Sequence, residues 1–137
     1  MYQIALIKHI RQHFKIVTLL FRGSVPLTSP KLASPASWHD IEAGIEFVAK
    51  KYCHDPKTGE KRCRFYAYGC SMGATLLGCY LVNNPDDSGK YLDGAVLYGT
   101  PWDYVVGGKP FFENYGGWPS YFVAMNVCRI TRSKQLP

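Results

Sequence analysis

The residues best placed to do chemistry lie in the run Phe65-Tyr66-Ala67-Tyr68-Gly69-Cys70-Ser71-Met72-Gly73-Ala74-Thr75-Leu76-Leu77. An apolar, β-prone segment enters Gly-x-Ser-x-Gly and a helix-like segment leaves it. At a sharp strand-to-helix turn a serine hydroxyl is lifted out of a sheet, where it can attack an acyl carbon. Gly69 and Gly73 let two backbones pass where side chains would collide. The plainer alternative is a glycine-rich turn whose serine only caps the next helix.

The elements that must position this turn are legible as periodicity. Ile4, Ile7, Ile10 and Phe14 lie three or four residues apart and make one face of a helix. Ile16-Val17-Thr18-Leu19-Leu20-Phe21 is a continuous β-prone run without polar alternation, the pattern of a strand buried on both faces. Residues 24–36, rich in proline and serine, read as a loop. Ser37-x-x-Asp40 has the spacing of an N-terminal capping arrangement. Ile41, Ile45, Val48 and Tyr52 then predict an amphipathic helix over 38–52. A polar loop follows over 53–62, and 63–68 reads as the strand before Ser71. Residues 71–83 read as a helix facing the sheet with Leu76, Leu77, Tyr80 and Leu81, ended by Asn83-Asn84-Pro85. Leu92–Tyr98 reads as another buried strand with Gly99-Thr100-Pro101-Trp102-Asp103 at its tip. An irregular, aromatic stretch then leads to a helix from about Pro119 to Ile130. Alternating helices and strands predict an α/β fold with a mostly parallel sheet and right-handed crossovers.

Composition narrows the function. With 137 residues the chain holds a single domain, and an apolar fraction of 47% excludes a disordered one. No segment reaches the apolar length of a membrane span, and Met1–Phe14 is broken by Lys8, His9, Arg11 and His13, unlike a signal peptide. A cytoplasmic or membrane-associated location follows as an expectation. Five cysteines, at 53, 63, 70, 79 and 128, do not read as a secreted disulfide framework. The formal charge of +6 gathers in Lys50, Lys51, Lys57, Lys61, Arg62 and Arg64, with Arg129, Arg132 and Lys134 further on. The bland reading is the wet end of a helix and its loop. No nucleic-acid motif is present, so nucleic acid is not expected as a partner; an anionic membrane surface is the partner such a patch would suit. Cys53-His54 with Cys63 offers adjacent ligands and no fourth partner, which is poor zinc geometry, so no metal or other cofactor is expected.

Taken together, these pieces resemble the α/β-hydrolase superfamily. More narrowly the chain is similar to the YheT-like (AB hydrolase 4) group, which includes human abhydrolase-domain proteins and the plant embryogenesis-associated type. The resemblance rests on Phe21-Arg22-Gly23, Trp38-His39-Asp40-Ile41, Gly69-Cys70-Ser71-Met72-Gly73-Ala74, and Leu92-Asp93-Gly94-Ala95-Val96 leading to Pro101-Trp102-Asp103. It implies hydrolysis of carboxylic esters, of short-chain ester or acylglycerol type. It also implies Ser71 as nucleophile, the backbone N–H of Met72 as one oxyanion donor, and no cofactor.

The departures are as informative. In this fold the triad runs Ser, Asp or Glu, then His along the chain. No histidine follows Ser71; His9, His13, His39 and His54 all precede it. Asp103 stands where some hydrolases place the acid, although the resemblance makes it more often a capping residue. His39 beside Asp40 is a candidate for a displaced base. The expectation is therefore an incomplete α/β-hydrolase domain over 1–137. It would lack the N-terminal strands and the C-terminal strands carrying acid and histidine, leaving a gap in the sheet between the run 16–21 and the strand before Ser71. The cap would begin within 104–137, and its aromatic residues Tyr104, Phe111, Phe112, Tyr115, Trp118, Tyr121 and Phe122 would line an acyl pocket or form ordinary core. The alternative to an active serine hydrolase is a non-catalytic piece of one.

Overall fold

Helix α1 (Tyr2–Ile10) opens the computed structural model, which describes residues 2–22, 33–34 and 36–134. The segment 15–21 then runs without a ladder, and most of its apolar side chains stay exposed. This corrects the strand expected over 16–21: a strand exists only through its hydrogen-bonded neighbour, and no described strand lies beside this one. The segment is held by side chains instead. Leu19 crosses the helix that carries Gly44 so closely that a Cβ on Gly44 would stand 2.8 Å from it, and Phe21 packs on the core. Most of the proline- and serine-rich loop lies outside the described residues.

Helix α2 (Trp38–Val48) buries Ile41, Ile45 and Val48, as its periodicity requires. Its start differs from expectation. Ser37 makes no side-chain cap; its hydroxyl accepts the Ser34 N–H at 3.1 Å, while Asp40 takes a bidentate ion pair from Arg22. The helix then widens into a π-turn (Ala49–Cys53), closed by the His54 N–H on the Ala49 carbonyl at 3.0 Å. The wider turn needs more than 3.6 residues to come around. It therefore buries Ala49 and Cys53 at four-residue steps from Ile45 and turns Tyr52 out to solvent. A polar hairpin follows, bridged at His54 and Lys61.

Strand β1 (Tyr66–Cys70) pairs in parallel with β2 (Gly94–Tyr98), Tyr66 opposite Gly94 and Cys70 opposite Tyr98. Between them lie α3 (Met72–Asn83) and a short α4 (Pro85–Tyr91) that begins at the proline closing α3. The molecule is thus α/β, with a two-stranded parallel sheet and flanking helices. Its core joins α2, α3 and the end of α4: Ile41, Ile45, Ala49, Leu76, Leu77, Tyr80, Tyr91 and Leu92. Leu76 and Tyr80 are each 1% exposed. Ala67 and Leu97 of the sheet pack against this cluster. The opposite sheet face, with Tyr66, Tyr68, Val96 and Tyr98, is exposed. That corrects the expectation of a buried strand at 92–98, of which Gly94–Tyr98 forms the strand.

Asp93 sets the register. Its N–H donates to the Phe65 carbonyl at 2.8 Å, its carboxylate accepts the Phe65 N–H at 2.7 Å, and Lys61 pairs with the same oxygen at 2.7 Å. Both strands therefore start from one knot. After β2 the chain forms α5 (Tyr104–Glu113), a 3₁₀ turn (Asn114–Gly117) and α6 (Trp118–Lys134). Helix α5 replaces the irregular stretch expected there. Gly107, Gly108 and Pro110 are poor helix formers, and what starts this helix is its cap.

Two stability results are expected. Leu76→Ala should cost about 3 kcal/mol, because the cavity lies among helices that cannot collapse onto it; urea unfolding measures this. The Asp93 carboxyl is held below its ordinary 3.8, first by Lys61 and then by the Phe65 N–H. The folded state prefers its charged form, so its contribution is whole above 3.8 and fades as pH falls through the lower folded value. Between about pH 5 and about pH 2 the urea midpoint should therefore drop less steeply in Asp93→Asn than in the parent, starting from a lower value at neutral pH.

Candidate functional site

Ser71 occupies the single residue between β1 and α3, with φ 54° and ψ −125°. L-residues rarely adopt this region, and holding one there costs about 1–3 kcal/mol. Three contacts hold it. The Ser71 N–H donates to the Tyr98 carbonyl at 3.0 Å, continuing the ladder one step past the strands. The Ser71 carbonyl accepts from Ala74 N–H at 2.9 Å and Thr75 N–H at 3.2 Å, starting α3. Helix and strand then pass so closely at Gly69 that a Cβ there would lie 2.7 Å from the Ala74 Cα and the Gly73 carbonyl oxygen.

The two glycines have different tasks. Gly69 removes a backbone clash between β1 and α3. Gly73 faces the Phe21 ring, whose edge would stand 3.2 Å from a Cβ. The serine side chain is exposed and makes no capping bond, although Ser71 sits at the N-cap position. The first amides of α3, Met72 and Gly73, have no acceptor within the helix and lie at its positive end. An exposed hydroxyl thus stands beside N–H groups able to stabilise an oxyanion.

The far side of the turn is built around Thr75, whose role sequence reasoning passed over, with Pro101, Trp102 and Tyr104. Thr75 is buried; its hydroxyl donates to the Pro101 carbonyl at 3.3 Å and accepts from the Tyr104 hydroxyl at 3.3 Å. The Trp102 ring lies over Gly78, 2.8 Å from where a Cβ would be. These contacts tie the loop after β2 to α3. A lone polar residue in the apolar run Ala74–Leu77 was the signal available.

The other candidates are engaged elsewhere. Asp103 caps α5, its Oδ1 accepting from Val105 N–H and Val106 N–H, each at 2.8 Å. His39 stacks on Trp38 with ring centroids 3.6 Å apart and meets Glu42 at 3.3 Å. His54 Nδ1 lies 3.0 Å from the Ala49 carbonyl. Among the described residues no side chain is hydrogen-bonded to Ser71 Oγ, and no three His, Cys, Asp or Glu side chains gather to hold a metal ion. Of the basic residues, Lys50 pairs with Glu46, Lys61 with Asp93 and Arg62 with Asp55. The aromatic rings of α5 and α6 are neither buried core nor an enclosed pocket: Trp118, Tyr121 and Phe122 cluster on one another at the surface.

Among known proteins, the chain is similar to the medium-chain fatty acid ethyl ester synthase/esterase 2 of Saccharomyces cerevisiae (strain ATCC 204508 / S288c). Identity is 28% over 126 residues, covering 90% of this chain and 25% of that protein. The chain thus spans a quarter of the length of the curated relative it matches. No protein-family model matches it. No solved structure matches it either.

Substitutions should separate strain from contact. Glycine tolerates the Ser71 backbone and alanine does not, so Ser71→Gly should be more stable than Ser71→Ala by about 1 kcal/mol in chemical denaturation. Gly69→Ala should lose about 1–3 kcal/mol because its new methyl meets backbone, and Gly73→Ala should lose less because it meets the edge of a side chain.

Proposed function

We propose that this chain carries the nucleophile of a serine carboxylic-ester hydrolase, with Ser71 as the attacking residue. The observation that carries the reading is the exposed hydroxyl on a positive-φ turn between a parallel strand and a helix N-terminus. The similarity to a yeast protein named as an ester synthase/esterase supports the same class. Ser71 Oγ would attack the ester carbonyl carbon as its proton passes to a base. The Met72 N–H would hold the oxyanion, a role whose loss costs about 3 kcal/mol of transition-state stabilisation. Collapse of the tetrahedral intermediate expels the alcohol and leaves an acyl-serine, which water then hydrolyses.

Substrates are proposed as short-chain esters or monoacylglycerols. The exposed rings of α5 and α6 would meet the acyl chain as the start of a cap, and the basic loop would rest on an anionic membrane surface. A second reading is favoured by the same geometry. A serine hydroxyl needs a base to become a good nucleophile, and Ser71 Oγ has none among the described residues. In that reading the chain is a non-catalytic hydrolase piece.

Intact-mass labelling with a fluorophosphonate probe separates the two, run beside Ser71→Ala with circular dichroism to show that both are folded. One adduct that disappears in Ser71→Ala is the expected outcome of the first reading. A folded parent chain that takes no adduct establishes the second.

A further inference from the structure

We infer that Cys53 and Cys63 form a reversible dithiol–disulfide site, oxidised by small anionic disulfides that reach it through Cys63. The base of the 53–62 hairpin sets Arg62 opposite Cys53, so the next residue, Cys63, is a near neighbour of Cys53 across the hairpin, and its thiol helps to raise that of Cys53. The backbone there is fixed at several points. Arg62 N–H donates to the Cys53 carbonyl at 2.7 Å, His54 and Lys61 bridge in antiparallel, and Asp55 N–H donates to the Glu60 carbonyl at 2.8 Å. The Cys63 thiol also points back along the π-turn, 3.9 Å from the Tyr52 carbonyl. A bond between the two sulfurs would close a hairpin whose backbone is already paired at this point.

The two cysteines differ in a way that orders the chemistry. Cys63 is exposed and Cys53 is 5% exposed. Cys63 lines a depression with Lys61, Arg62, Arg64 and Asp93, where the cations outnumber the carboxylate. Such a rim attracts a disulfide that carries carboxylates. The Cys63 thiolate attacks one sulfur of that disulfide, forming a mixed disulfide and releasing one small thiolate. The Cys53 thiolate then attacks the Cys63 sulfur and expels the second. The protein dithiol loses two electrons and two protons, and the small disulfide becomes two thiols. Burial, and next the hydrogen bond with Cys63, push the Cys53 thiol up to about 11, so the second step is the slower one. The closed bond would tether the end of the π-turn to the residues leading into β1, beside the Asp93 knot.

The test treats the folded chain with glutathione disulfide and follows it by intact mass and peptide mapping. In the reduced protein, iodoacetamide should alkylate Cys63 at least about tenfold faster than Cys53. After oxidation the protein should be lighter by two hydrogens, with the peptides of Cys53 and Cys63 joined and both sites blocked. Dithiothreitol should restore the starting state. Cys53→Ala should stop at a glutathionyl adduct on Cys63, and Cys63→Ser should lose the internal bond, with circular dichroism confirming the fold of each. The inference is overturned if the parent stops at the glutathionyl adduct, if Cys63 bonds another cysteine or another chain, or if Cys53 reacts as fast as Cys63 before oxidation.

Discussion

Helix α3 can approach strand β1 only because Gly69 has no side chain, and most of the molecule is arranged around that approach. A methyl group at this position would lie 2.7 Å from backbone atoms of α3. With glycine there, the chain reverses from strand to helix over one residue. That residue, Ser71, takes the strain of the reversal in its backbone. The strain persists because the surroundings hold it on both sides: the Tyr98 carbonyl takes its N–H, and the first turn of α3 uses its carbonyl.

The same approach organises the packing. With α3 laid across β1 and β2, Leu76, Leu77 and Tyr80 reach the layer shared with α2 and the end of α4, and Ala67 and Leu97 close it from the sheet side. Thr75 lies beside this layer and uses both hydrogen-bonding capacities of its hydroxyl to fasten the loop that leaves β2. At the opposite end of the strands, Asp93 anchors both starts. The parallel pair is therefore pinned at each end by groups outside the ladder, which suits two strands with no further neighbour among the described residues.

The chemistry drawn from this scaffold follows from position. An exposed hydroxyl, a strained backbone and a helix N-terminus coincide at Ser71, while Asp103, His39 and His54 are bound into local structure. A separate pair of thiols sits where the π-turn meets the hairpin, in a basic surround. The two sites share no residue.

The sequence by itself determined the local pieces whose signal is local. The glycine spacing around Ser71, the apolar faces of α2 and α3, and the proline that closes α3 act through sterics and short-range periodicity, so they could be read directly. What depends on partners distant in the chain was decided only by tertiary structure. Residues 16–21 have every β-prone feature and form no strand, because a ladder needs a neighbour. Ser37 and Asp40 have capping spacing, but Arg22 takes the carboxylate. The π-turn shifts burial from Tyr52 to Cys53, a change of helical pitch that a 3.6-residue period cannot register. Helix α5 forms through Asp103 despite glycines and a proline that speak against it. In these cases a distant partner present or missing, a local change of pitch or a helix cap outweighed a propensity of a fraction of a kcal/mol per residue, roughly the scale on which sequence patterns speak.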